Sequence, residues 1–138
     1  MSFVRTDTST QGNWKNSYGL DGYEVIADTA SYPAYATVTH SGSSTVTWAS
    51  STAQTRALQK STSTTDRIAA CWVSNSFFEI DINLSGGQMH PVALYFLDWD
   101  ANGRNEKVEV IAADTGIVLD TRTVSSSELK MTRVRVLS

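Results

Sequence analysis

The chain has 138 residues, 41% of them hydrophobic and 18% charged, enough for one domain with a substantial core and too apolar for a disordered segment. Its formal net charge is -3, and it has no long run of Lys and Arg, so a phosphate-backbone partner is not expected. No stretch approaches the ~18 consecutive apolar residues of a membrane helix, so no membrane partner is expected. The N-terminal Met-Ser-Phe-Val-Arg-Thr-Asp does not read as a signal peptide. Roughly a quarter of the residues are Ser or Thr, a bias suited to strands and turns.

Residues 7–35 are rich in Gly, Asn, Asp and aromatics. They read as a long folded loop region, with one short strand or helical turn near Tyr23–Ala27. Ala36–His40 and Thr45–Ala49 read as a hairpin around Ser41-Gly42-Ser43-Ser44. Ser50–Lys60 is the one stretch with any helical character, and its apolar content is low. Ser61–Thr65 reads as an exposed loop. Arg67–Val73 reads as a strand, joined by Ser74–Ser76 to a second.

That second strand has the clearest period of two. Phe78, Ile80, Ile82 and Leu84 alternate with Phe77, Glu79, Asp81 and Asn83. After the turn signal at Ser85-Gly86-Gly87-Gln88, Val92, Leu94 and Phe96 alternate with Ala93, Tyr95 and Leu97. Both sets are apolar, which predicts a central strand covered on each side. Asn102-Gly103 is a hairpin signal. Lys107–Ile111, Ile117–Val124 and Arg133–Leu137 complete eight or nine strands, with Lys130, Arg133 and Arg135 on a solvent face. Turn signals every 8 to 12 residues predict an all-β fold, an antiparallel sandwich or barrel, as one domain over residues 1–138.

Candidate chemistry concentrates in two places. Asp98-Trp99-Asp100-Ala101-Asn102-Gly103 with Glu109 fits the linear spacing of a calcium loop. The flanking strands, and Asn105 where an apolar residue is usual, argue against an EF-hand. The remaining readings are an Asn-Gly hairpin with its carboxylates solvated or paired to Arg104, and calcium held by Asp98, Asp100 and Asn102. No cofactor is required.

The other place is aromatic. Trp14, Tyr18, Tyr23, Tyr32 and Tyr35 fall in the irregular first quarter, and Trp99 at a hairpin tip. A ring face packs on the C–H face of a pyranose, while carboxylate, amide and guanidinium groups take its hydroxyls. The alternative for these rings is core packing at the sandwich ends, and Trp48 and Trp72 read as core. Cys71 is the only cysteine and reads as a structural thiol. His40 and His90 lack zinc spacing. Asp21, Asp28, Asp98 and Asp100 are the acids that a glycoside hydrolase would draw on.

Two stretches carry a family resemblance. One is Gly12-Asn13-Trp14-Lys15-Asn16-Ser17-Tyr18-Gly19-Leu20-Asp21-Gly22-Tyr23. The other is Val92-Ala93-Leu94-Tyr95-Phe96-Leu97-Asp98-Trp99-Asp100 with Gly103-Arg104. Together they resemble modules of large bacterial surface or secreted proteins, and the second resembles the strand-loop-strand of malectin-like and galactose-binding-like jelly rolls. The resemblance implies an antiparallel jelly-roll sandwich, carbohydrate binding by analogy, and an extracellular or cell-surface setting. It carries over no contact residue. The chain departs from it after Val124, where Ser-Ser-Ser-Glu-Leu-Lys-Met leads into a short last strand. A shortened strand there predicts an exposed sheet edge and a homo-oligomer through it.

The expected function is a non-catalytic carbohydrate-binding module. Trp14, Tyr18, Tyr23 and Trp99 are its stacking rings, and Asp98, Asp100 and Arg104 its polar contacts. A structural or adhesion module without a small ligand is the alternative, and a small polysaccharide hydrolase or lyase the third reading.

Overall fold

Alternation of apolar and polar residues puts one side of a strand in a core and the other in water, and the stretch from Phe77 to Leu84 follows it most fully. The computed structural model describes residues 1–124 and 128–137, with the side chains of the last strand described at Val134 and Val136 only. Ten strands follow in chain order among the described residues: β1 (Tyr23–Val25), β2 (Thr29–Ser31), β3 (Ala36–Ser41), β4 (Ser44–Thr52), β5 (Leu58–Gln59), β6 (Arg67–Val73), β7 (Phe77–Leu84), β8 (Arg104–Ala112), β9 (Val118–Val124) and β10 (Glu128–Leu137). The helical content among the described residues is one 3-10 turn, Trp14–Asn16. The fold is all-β, and none of the described helical structure is long and apolar enough to cross a membrane.

The chain divides into two compact units. One takes residues 34–44 and 73 onward, and holds a five-stranded sheet in the order β3-β7-β10-β8-β9. β3 runs antiparallel to β7, and β9 antiparallel to β8. β10 runs parallel to both of its neighbours. The buried face follows the predicted period. Phe78, Ile80, Ile82 and Leu84 are buried, and the register sets Ile80 beside Val134 and Val134 beside Val110. Phe77, Glu79, Asp81 and Asn83 alternate with them along the strand.

The other unit takes residues 2–33 and 45–72. It holds the three-stranded sheet β4-β6-β5 and the antiparallel hairpin β1-β2. Its buried apolar residues are small or few: Val25, Ala57, Ile68 and Ala69. Hydrogen bonds therefore do much of the tying. Gly12 N–H donates to the Thr55 carbonyl at 2.9 Å, and Gln59 N–H donates back to the Gly12 carbonyl at 3.1 Å. Arg67 is 6% exposed. Its Nη1 donates to the carbonyls of Thr55 (3.2 Å) and Ala57 (2.9 Å), and its Nη2 to Asn13 Oδ1. The buried guanidinium thus joins β6, the 55–57 loop and the chain just before the 3-10 turn.

Several sequence expectations are corrected. Val92–Leu97 forms no strand, and Val92, Leu94 and Tyr95 are exposed, because β10 fills the central position of the sheet. β3 and β4 are not a hairpin pair. The turn exists, with Gly42 at φ 78°, but the two strands it joins enter different sheets. Ser50–Lys60 is not helical; it holds the end of β4, a turn and the start of β5. The last strand spans ten residues and is central, so the sheet edges are β3 and β9 instead. The Ser125–Ser127 link and the side chains of Lys130, Arg133 and Arg135 lie outside the described residues.

Candidate functional site

The loop before β8 is built around one cation. Arg104 opens β8, and its guanidinium reaches back along the chain. Nη1 donates to Asp98 Oδ1 at 2.8 Å and to Asp100 Oδ1, and Nη2 donates to Asp100 Oδ2 at 2.7 Å. The fork geometry of Arg suits such a two-toothed grip on a carboxylate. Gly103 N–H donates to Asp98 Oδ2 at 3.0 Å, and Asn102 Nδ2 to Asp100 Oδ2 at 2.9 Å. Ala101 (φ 52°) and Gly103 (φ 69°) take left-handed conformations that let the loop close on itself. Trp99 lies between the two carboxylates in sequence and is half-buried.

Arg104 also sets the protonation of this loop. Its hydrogen bond to Asp100, aided by its charge and by Asn102, holds the Asp100 carboxyl below its usual value of 3.8. Asp100 in turn raises the Arg104 guanidinium above its ordinary range. Because the folded value of Asp100 is depressed, the pair is fully formed above the unfolded value and is lost only as pH falls through the folded one. The Asp100 side-chain carboxyl is therefore expected to titrate by carbon NMR with a midpoint below 3.8. In Arg104→Ala the midpoint should return close to the usual value. An unchanged midpoint in the variant would show that the ion pair does not form in solution.

The calcium expectation can be weighed against the same atoms. A calcium cage needs oxygens converging on one point. Here the two carboxylates converge on a guanidinium, and Asn102 turns its amide nitrogen toward Asp100. Glu109, the twelfth position of the linear pattern, lies on β8 paired with Lys107 at 2.8 Å. Among the described residues, no group of three or more His, Cys, Asp or Glu gathers to hold a metal.

The aromatic residues of the first quarter belong to the other unit, apart from Tyr35. Trp14 and Tyr23 pack with ring centroids 4.9 Å apart at 48°. Trp14 Nε1 donates to the Gln59 carbonyl at 2.8 Å, and the Lys15 ammonium stands 5.8 Å from the Trp14 ring centre. Lys15 also donates to the carbonyls of Ser61 (3.0 Å) and Ser63 (2.6 Å). Tyr18 donates its hydroxyl to Asp7 Oδ2 at 2.8 Å. The Thr10 hydroxyl and amide, the Tyr18 hydroxyl and the Ser9 amide together hold the Asp7 carboxyl far below the carboxylate range. Tyr32 donates to Glu24 from beside the β1-β2 hairpin, and burial and that carboxylate push its phenol up. Tyr35 stacks on His90 at 3.9 Å in the first unit.

No protein-family model, curated protein or solved structure matches the chain.

The named residues thus fall into two groups. Asp98, Trp99, Asp100, Asn102 and Arg104 come together on one loop of the first unit. Trp14, Tyr18 and Tyr23 sit on the long loop of the second. The sequence reading missed Asp7, Lys15 and Gln59 as partners of that second group. Asp7 was within local reach of Tyr18, but nothing in the sequence links Gln59 to Trp14 across more than forty residues. Of the candidate hydrolytic acids, Asp28 Oδ2 accepts from Ser61 N–H at 2.9 Å, while Asp98 and Asp100 share Arg104.

Proposed function

We propose that the protein is a non-catalytic carbohydrate-binding module, on a galactose-binding-like β-sandwich, that takes a neutral saccharide at the Asp98–Arg104 loop. The observation that carries this reading is the preorientation of the polar groups on the loop that also carries Trp99. Carboxylates held in place by Arg104 retain lone pairs that accept sugar hydroxyl protons. Such fixed acceptors lose little freedom on binding. Two carboxylates against one guanidinium leave a single negative charge, so uronic or sulfated sugars are disfavoured. Arg104 supplies the counter-charge that calcium would otherwise provide, and EDTA is expected to leave binding unchanged.

The Trp14, Tyr18 and Tyr23 group serves better as scaffold. Its indole N–H and the Tyr18 hydroxyl are already committed within the unit. Hydrolysis is the less favoured chemistry. A general acid needs a carboxyl raised toward neutrality, and Asp100 is moved the other way.

Native affinity electrophoresis against neutral and uronic polysaccharides, with calcium and with EDTA, tests this. Retardation by a neutral polymer alone is expected. Trp99→Ala should weaken it about tenfold, the scale of a lost ring contact of roughly 1.4 kcal/mol. Retention of full binding by that variant would remove Trp99 from the site. No retardation in any lane would favour the structural or adhesion reading. That reading draws on the exposed Ile117, Val118 and Leu119 at the β9 edge, and light scattering across concentrations would show the homo-oligomer it implies.

A further inference from the structure

Six consecutive apolar residues, Val92–Leu97, have the length and composition of a strand covered on both faces, yet belong to no strand. Four of the six are exposed, while Phe96 and Leu97 are half-buried. Val92 is 49% exposed, Leu94 38% and Tyr95 42%, and Met89 just before them is 97% exposed. Leaving such a run in water is unfavourable by about 25 cal/mol for each Å² of apolar surface. It is also the kind of segment that adds to a sheet.

The chain itself says which sheet position the segment fits. It lies between β7, which ends at Leu84, and β8, which begins at Arg104. Those two strands run parallel to each other through β10, so the position between them admits an antiparallel strand as readily as a parallel one. Threaded there, residues 92–97 would make β7, the segment and β8 a simple meander with short links. Both links already carry turn conformations. Gly86 and Gly87 have φ 90° and 68°, with no atom within 4 Å of a Cβ placed on either. Gly103 has φ 69° after Asn102. Antiparallel pairing is also slightly stronger per residue than parallel pairing. What holds β10 in place is length: its register runs over seven residues on β7 and nine on β8.

We propose that the position between β7 and β8 has two alternative occupants, β10 and the 92–97 segment, which exchange within one molecule. The second arrangement buries Val92, Leu94 and Phe96 on one face and releases residues 128–137. It follows that weakening β10 strengthens the segment's pairing, and not merely the unfolded state.

Amide hydrogen exchange on the full chain tests this. Val134→Pro removes a ladder donor at the middle of β10. Residues 128–137 should then lose protection, residues 92–97 should gain at least tenfold, and β7 and β8 should stay protected. Val134→Ala, a milder change, should move the two segments in the same opposite directions by smaller factors if the proline variant does not fold. Loss of protection in β10 with no gain at 92–97 in the alanine variant would overturn the proposal. So would a gain found only in a dimeric fraction by size-exclusion chromatography, since a second copy would then be the source of the pairing.

Discussion

Arg67→Ala is expected to lower the stability of the second unit by about 3 kcal/mol, because it leaves the Thr55 and Ala57 carbonyls and Asn13 Oδ1 without their donor. The site is buried, so water cannot fully replace the guanidinium. Each stranded buried acceptor costs on the order of 1–3 kcal/mol, and partial relaxation brings the sum down to the value expected. Among the described residues, the partners of Arg67 are carbonyl and amide oxygens, so no carboxylate is left unpaired by the change. Arg67→Met keeps most of the stem and removes the donors, which separates packing from hydrogen bonding. If the donors dominate, the two variants should unfold at nearly the same denaturant concentration. If Arg67→Met behaves like the wild type, the hydrogen bonds contribute little and the stem is what matters. Fluorescence of Trp14, which lies next to Asn13, is a suitable local probe.

Gly12→Ala should be as damaging, for a different reason. A Cβ at position 12 would lie 1.8 Å from the Ala57 carbonyl oxygen, 2.5 Å from its carbon and 2.7 Å from the Thr55 oxygen. These are backbone atoms, so no rotamer change relieves the clash. Either the 55–57 loop moves or the 2.9 Å bond from Gly12 to Thr55 opens. Overpacking of a closed site costs about 1–3 kcal/mol and occasionally more, and the upper end is expected here. Urea unfolding would measure it. A variant within about 0.5 kcal/mol of the wild type would mean that the loop yields freely. Both changes act on the 55–57 carbonyls, so the double variant should lose less than the sum of the two single losses.

How much of this could be read from the residues depends on the range of the forces involved. The bounds of β6 and β7 were legible to the residue, and because alternation is a local property the buried face of β7 is the one its pattern names, whereas β6 buries three consecutive residues at its start. The grip of Arg104 on Asp98 and Asp100 was visible as one option, since its members lie within six residues. The Arg67 clasp was not, because Asn13 is far away in sequence and a lone Arg at the start of a strand looks like a solvated one. Val92–Leu97 marks the other limit. Its pattern shows that the segment is fit to be a strand, but not that a longer strand has taken its place. The turn between β3 and β4 is visible in the residues around Gly42, yet a turn fixes only the direction of the chain, not which strand the next one joins.

The central place of β10 also sets the order in which the first unit can assemble. β3-β7 and β8-β9 can each pair as ribbons, but a two-stranded ribbon is only marginally stable in water. They become one sheet when β10 bridges them, bringing residue 131 beside residue 77 and residue 107. The entropy of closing that long loop is lost before the contacts that offset it are made. The β3-β7-β10-β8-β9 order therefore completes late and slowly, and during synthesis on the ribosome it cannot form until residues 128–137 emerge.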